Sequence, residues 1–284
     1  MKKYIFLLFI LSKTSTNAQQ FFTDSLQKLL ASNPDTTRVL LLSELSNNLC
    51  HSDPEKAFRL AQQGLQLSRQ INYPKGELYC KVSLGWCWWS VGDYPTAIQL
   101  MLTEMNSVNL AKDFKLTRKF MGVLISSYED QGDYTEALKL SLWALNLENR
   151  ERRCEYCKII FASISDLYLK KNQLDSAHFF LRRALKYPAA FGLDGWIYSV
   201  AGRLYTELKN YDSAFQFYHQ SVQKLQEETN LKDLAGVYNN IASLFIIINT
   251  RDSSLLYARR SLAISQPKKF AKEAFETNLL LADI

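Results

Sequence analysis

Apolar and polar positions follow one another with helical spacing along most of this chain, and that pattern itself recurs. Five segments share one shape: Asp53-Pro-Glu-Lys-Ala57, Asp93-Tyr-Pro-Thr-Ala97, Asp133-Tyr-Thr-Glu-Ala137, Gln173-Leu-Asp-Ser-Ala177 and Asn210-Tyr-Asp-Ser-Ala214. A weaker sixth is Thr250-Arg-Asp-Ser-Ser254. The closing small residues stand at 57, 97, 137, 177, 214 and 254, at intervals of 40, 40, 40, 37 and 40. Upstream lies a second patch, small-x-x-aromatic: Leu84-Gly85 then Trp88, Leu124-Ile125 then Tyr128, Ile164-Ser165 then Tyr168, Ala201-Gly202 then Tyr205, Ile241-Ala242 then Phe245. Glu44-Leu45 then Asn48 is its poorest copy, and small residues recur again at Gly64, Ala144, Ala184, Ser221 and Ser261. Two antiparallel helices cross closely only where side chains are small, and an aromatic ring fills the space beside the crossing. The pattern therefore predicts helix pairs. Turns such as Val91-Gly92-Asp93 and Gln131-Gly132-Asp133 end one helix with glycine and start the next with a capping aspartate. Pro54 and Pro95 fall in first turns, where a missing N–H costs nothing.

These residues resemble the tetratricopeptide repeat, a helix–turn–helix unit with a small-x-x-aromatic patch in its first helix and a small-residue pattern in its second. The resemblance covers about residues 37–284. It implies an all-α, right-handed α-solenoid of about six 40-residue repeats plus a partial seventh. The usual unit has about 34 residues, so each helix here should be longer, roughly 15–18 residues once a short turn is subtracted. One such unit cannot bury its own apolar face, so stacking is obligatory.

Composition agrees. The 10 Gly and 6 Pro among 284 residues are about half the ordinary usage of roughly 7% and 5%, too few for the turns of a sandwich or barrel. With 47% hydrophobic residues the disordered classes are excluded. At the start, Lys2 and Lys3 precede an apolar run from Tyr4 to Leu11 and the small residues Thr16-Asn17-Ala18. Residues 1–18 thus read as a secretory signal peptide, too short to span a bilayer. Residues 19–36 carry a short amphipathic stretch, Thr23 to Ser32, expected to cap the first repeat. Without the lysines of the signal segment the formal charge falls from +6 to +3, with no basic stripe to suggest nucleic acid. The final stretch, Ala271 to Ile284, reads as the first helix of a seventh repeat without its second. Such an end exposes an apolar face, and the expectation is a truncated piece of a longer protein.

Candidate chemistry is sparse. There is no phosphate loop, HExxH, GxSxG or dinucleotide fingerprint, and His51, His178 and His219 share no ligand spacing. No catalytic residue, metal or cofactor is expected. Cys154-Glu155-Tyr156-Cys157 is a CxxC, but it lacks the βαβ context of a redox site or the second pair of a zinc site. The five cysteines are expected as small buried apolar residues. The fold offers a concave groove lined by the first helices. The repeat register places Tyr79, Trp86 and Trp89 there, with Glu129, Asp130, Asp166, Trp196, Arg203 and Asn239, and beside them Lys119, Lys170, Ser199, Glu207 and Ser243. Aromatic anchors beside charged groups suit a peptide or protein ligand. In Trp86-Cys87-Trp88-Trp89, Trp88 occupies the packing patch and its two neighbouring tryptophans should face the groove. Where some tetratricopeptide modules clamp a C-terminal carboxylate with Lys and Asn, this chain has Leu42 and Ser46, so that clamp is absent.

The opening, with Asn17-Ala18-Gln19, Asp24-Ser25-Leu26, Asn33-Pro34-Asp35-Thr36-Thr37-Arg38-Val39, Leu41 to Leu45 and Asp53 to Ala57, is similar to the exported start of Bacteroidetes-type sensor histidine kinases. That resemblance implies a periplasmic sensory region of a two-component transducer in a Gram-negative envelope. An autonomous exported scaffold organising envelope proteins is the alternative, and an unrecognised enzyme ranks last. A protein or peptide is the expected partner, with a homodimer through the solenoid as a further option, and no nucleic acid or membrane span beyond the signal peptide.

Overall fold

In the computed structural model the described residues are 35–105, 113–150, 156–187 and 193–284, and among them are thirteen α-helices and no strand. The expected signal peptide and the expected helix from Thr23 to Ser32 lie outside them. Two compact units are present, the first ending at Cys87 and the second beginning at Trp88. The first contains α1 (Asp35–Leu49), α2 (Pro54–Gln70) and most of α3 (Pro74–Val91). The second takes in the last turn of α3, then α4 (Tyr94–Glu104), α5 (Phe114–Gln131), α6 (Tyr134–Arg150) and α7 (Cys157–Lys170). It continues through α8 (Leu174–Leu185), α9 (Asp194–Glu207), α10 (Tyr211–Glu227), α11 (Leu231–Ile247), α12 (Arg251–Lys268) and α13 (Ala271–Asp283). The class expected from the period, an all-α helical-repeat fold, is the one observed. Helix lengths run from 11 residues in α4 to 18 in α12, so some helices are shorter than the period alone predicts.

The local signals act as their chemistry dictates. Asp53 accepts the Lys56 N–H at 3.2 Å and starts α2, with Pro54 in its first turn. Asp93 accepts both the Thr96 N–H and the Thr96 hydroxyl, at 3.2 and 2.8 Å, and Asp133 accepts the Glu136 N–H at 3.1 Å. Each satisfies a donor that the helix itself leaves open. Glycine closes the preceding helix in a left-handed conformation at Gly92 and Gly132, with φ of 92° and 93°. The next three equivalent turns place Asn172, Lys209 and Asn249 in the same region, with φ of 55°, 56° and 59°. The left-handed turn is thus set by the repeat and persists where glycine is lost, although a side chain there costs about 1–2 kcal/mol.

Packing follows the register. Ala57, Ala97, Ala137, Ala177, Ala214 and Ser254 are each 0% exposed. The sixth carries a hydroxyl that is satisfied by donating to the Ala242 carbonyl at 2.9 Å. In the second unit three of the patch aromatics stack on rings of the paired helix: Tyr168 on Phe180, Tyr205 on Phe217 and Phe245 on Tyr257, with centroids 5.3 to 5.6 Å apart. Stacked pairs of this kind contribute about 0.5–1.5 kcal/mol beyond area burial. The closest helix pairs are α1 with α2, α7 with α8, α9 with α10 and α11 with α12, while α13 packs on α12 and α11. On α13, Phe275 and Leu279 are exposed while Glu273 and Thr277 are buried. Cys50, Cys80 and Cys87 are buried thiols, and burial pushes Cys80 and Cys87 up to about 12. Cys157 is also buried, as expected of these cysteines, and is disulfide-bonded, a pairing the sequence left open. Cys154 lies outside the described residues. No helix among the described residues is long and apolar enough to cross a membrane.

Candidate functional site: an inner polar face in the second unit

Within the second unit, the helices that open successive repeats present charged side chains to one inner face. Asp166 of α7 is almost fully buried and pairs with Arg203 of α9 and, at 3.7 Å, with Lys170 one turn along its own helix. Lys170 in turn holds Glu129 of α5 at 2.7 Å. The neighbouring Asp130 accepts the indole N–H of Trp89 at 2.8 Å and pairs with Lys272 of α13. Lys232 of α11 pairs with Glu273 at 3.1 Å, donates to the Ser90 carbonyl at 3.4 Å and lies 4.6 Å from the Trp89 ring centroid. Asn239 donates to the Glu273 carbonyl at 3.0 Å and accepts the Thr277 hydroxyl at 2.8 Å.

The electrostatics are those of charges withdrawn from water. Burial acts to raise Asp166, but Arg203 and Lys170 outweigh it and hold the carboxyl well below the usual range. Asp130 is likewise lowered, with Lys272, Lys170 and Lys232 overcoming burial. Glu129 goes the other way: burial, reinforced by Asp166, pushes it up to about 8 despite Lys170. Its carboxyl is thus shifted toward the neutral form, between the Asp166 carboxylate and the Lys170 ammonium. Lys170, Arg203 and Lys272 are raised, because their carboxylate partners more than offset burial. Ion pairs of this depth barely break even against apolar packing, yet removing one partner is costly.

The structure brings together Trp89, Glu129, Asp130, Asp166 and Arg203 in this network, and seats Asn239 beside it. The remaining expected groove residues sit elsewhere. Tyr79, in the first unit, is buried, and its carbonyl accepts the hydroxyls of Ser43 and Ser83, each at 3.1 Å. Trp86 packs on Leu45, Leu49, Cys50, Ala57 and Cys87, with its ring 6.4 Å from His51. Trp196 packs against two core clusters that include Phe161, Ile197, Leu181 and Val200. Tyr79 is buried, whereas Trp86 and Trp196 are partly buried, each gaining by the apolar contact of one side of its ring. Lys232, Lys272 and Glu273 escaped the sequence reading. The signal for them is present, since Lys232 and Lys272 are one 40-residue period apart in the first turns of their helices. Among the described residues no group of His, Cys, Asp and Glu is arranged to hold a metal ion.

Solved structures share this architecture. A Rap protein complexed with competence and sporulation factor is 15% identical, with a TM-score of 0.72, and the match covers 92% of this chain and 72% of that one. NprR in complex with its cognate peptide NprX is 12% identical with a TM-score of 0.62, over 96% and 82% of the two chains. A signal-transduction ATPase from Pyrococcus horikoshii with a tetratricopeptide repeat sensor is 16% identical with a TM-score of 0.57, over 92% and 40%. The fold is that of a tetratricopeptide-like helical repeat. No protein-family model and no curated protein sequence matches the chain.

Proposed function

We propose that the inner face of the second unit is a non-catalytic binding surface for a peptide or an extended protein segment. One observation carries this reading: successive first helices converge polar side chains on one face, in a fold whose solved examples include Rap complexed with competence and sporulation factor and NprR with its cognate peptide. In the cell, the chain is proposed to serve as the exported, periplasmic sensory region of a two-component transducer. The support for that finer reading is the signal-like opening and the similarity of the first repeats to those of sensor histidine kinases.

The binding reading is tested with a random peptide library displayed against the immobilised full chain, followed by anisotropy titration of enriched peptides. Glu207 is exposed one repeat after Lys170 on the same face, so Glu207→Arg should weaken enriched peptides at least about tenfold, or roughly 1.4 kcal/mol, without changing the melting temperature. Failure to enrich any peptide, or enriched peptides indifferent to this reversal, would refute the assignment.

A further inference from the structure

Two contacts close the inner face on itself, and they repeat with the period of the chain. Lys232 reaches the Ser90 carbonyl and Lys272 reaches Asp130, and in both cases the partners are 142 residues apart. Each donor and each acceptor advances by one 40-residue repeat from the first contact to the second.

The acceptors have a common setting. Ser90 and Asp130 lie in the last turns of α3 and α5, where the negative end of the helix dipole favours a cation. Trp89 joins the two, holding Asp130 with its indole N–H and presenting its ring to the Lys232 ammonium. A carboxylate, a carbonyl oxygen and an aromatic face are all cation acceptors. The donors, by contrast, are poorly placed in their own helices. Lys232 and Lys272 occupy the first turns of α11 and α13, where the helix dipole disfavours positive charge. The seat across the face offsets that placement, helped by Glu273 and the Phe270 ring for Lys232 and by Glu276 for Lys272, and Lys232 is nevertheless 2% exposed.

We infer that Trp89, the Ser90 carbonyl and Asp130 form a docking seat for a peptide bearing two lysine-type ammonium groups, and that Lys232 and Lys272 occupy it as a competitor in cis. The inference rests on the reading of this face as a peptide-binding surface and adds the ligand chemistry and its regulation. An incoming basic segment finds the same two acceptors and displaces the resident lysines. Its apparent affinity is set by the fraction of molecules whose seat is vacated, so weakening the resident contact tightens binding.

The test is anisotropy titration of the full chain with short Gly/Ser peptides that carry two lysines at varied separations, and with the same peptides acetylated on both lysines. Lys272→Met should bind the best lysine peptide about tenfold tighter than the parent chain, Lys272→Arg should match the parent, and the acetylated peptide should bind none of them. Asp130→Asn should lose the lysine peptide, with circular dichroism melts confirming that each variant is folded. Equal binding of free and acetylated peptides, or no gain in both Lys272→Met and Lys232→Met, overturns the seat. If library peptides bind and Glu207→Arg blocks them while the lysine variants change nothing, the seat falls and the binding face stands. If no peptide of any kind binds, both fall.

Discussion

Replacing Gly202 by alanine sets two opposed effects against each other at one helix crossing. Alanine is better than glycine inside a helix by about 1 kcal/mol, because it restricts the unfolded chain. At 202, however, a Cβ would lie 2.4 Å from both Cδ1 and Cε1 of Tyr218 and 2.9 Å from its Cγ, against an ordinary carbon contact of about 3.5–4.0 Å. The ring cannot step aside cheaply: Tyr218 is 2% exposed and its hydroxyl lies 3.4 Å from that of Thr206. Overpacking of this sort costs about 1–3 kcal/mol, and a contact this short belongs in the upper part of that range, so Gly202→Ala should be destabilising by about 1–2 kcal/mol net. Gly236, inside α11, is the control. A Cβ there meets nothing within 4 Å, so only the propensity term survives and Gly236→Ala should stabilise by up to about 1 kcal/mol. Urea titrations at neutral pH read both signs, and each kcal/mol should move the melting temperature by roughly 2–4 °C. In a Tyr218→Leu background, Gly202→Ala should turn neutral or stabilising. Equal stabilisation by both alanines in the parent chain would refute the close crossing of α9 and α10.

Further outcomes follow from the same structure. Asp166→Ala strands Arg203 and leaves Lys170 with Glu129, and since Arg203 keeps some access to water the loss should sit toward the low end of about 3–5 kcal/mol, read by urea unfolding. Glu129 has a higher pKa folded than unfolded, so between about pH 4.5 and 8 the native state holds a proton that the unfolded chain has released. Its contribution to stability must therefore fall as pH rises through that window. Glu129→Gln should flatten the decline, and unfolding midpoints with the same pH slope in both proteins would contradict the burial of Glu129. Asp93→Ala removes two capping bonds and should cost about 1 kcal/mol, with Asp93→Asn nearly neutral by thermal melting. Ala137→Leu, at a fully buried crossing position, should cost about 1–3 kcal/mol, and an unaltered melting curve would contradict the repeat register.

The legible part of this protein was local. Capping aspartates, first-turn prolines and the buried alanines at 57, 97, 137, 177 and 214 depend on neighbours within one helix pair, so their spacing in the sequence is enough to place them. The same register put Glu129, Asp130, Asp166 and Arg203 on the inner face. What it could not give was that these groups are bonded to one another, because contacts between helices of different repeats depend on how each pair rotates on the last. The contact of Lys272 with Asp130 needs the sum of four such rotations, and no 40-residue period encodes that sum. The aromatics were less determined for a related reason. Trp86 and Trp196 sit near the inner positions of the register, but a ring reaches several ångströms from its Cα and follows apolar contact. Lysines and asparagines in left-handed turns were also unreadable, since nothing in a lone Lys209 announces a positive φ.

A stack in which each repeat touches only its neighbours unfolds like a zipper, fraying from its ends with a stability that is a sum of nearest-neighbour terms. The two contacts 142 residues apart change that mechanics for the second unit. They act as cross-ties that join its last helices to its first turns, so melting α13 also releases Asp130, and melting the end of α3 also releases Lys232. Closing so long a loop carries an entropy cost that grows only slowly with length, and it is met once for both ties. Losing either end therefore loosens the other, and the second unit should yield in one concerted transition in preference to a progression of intermediates.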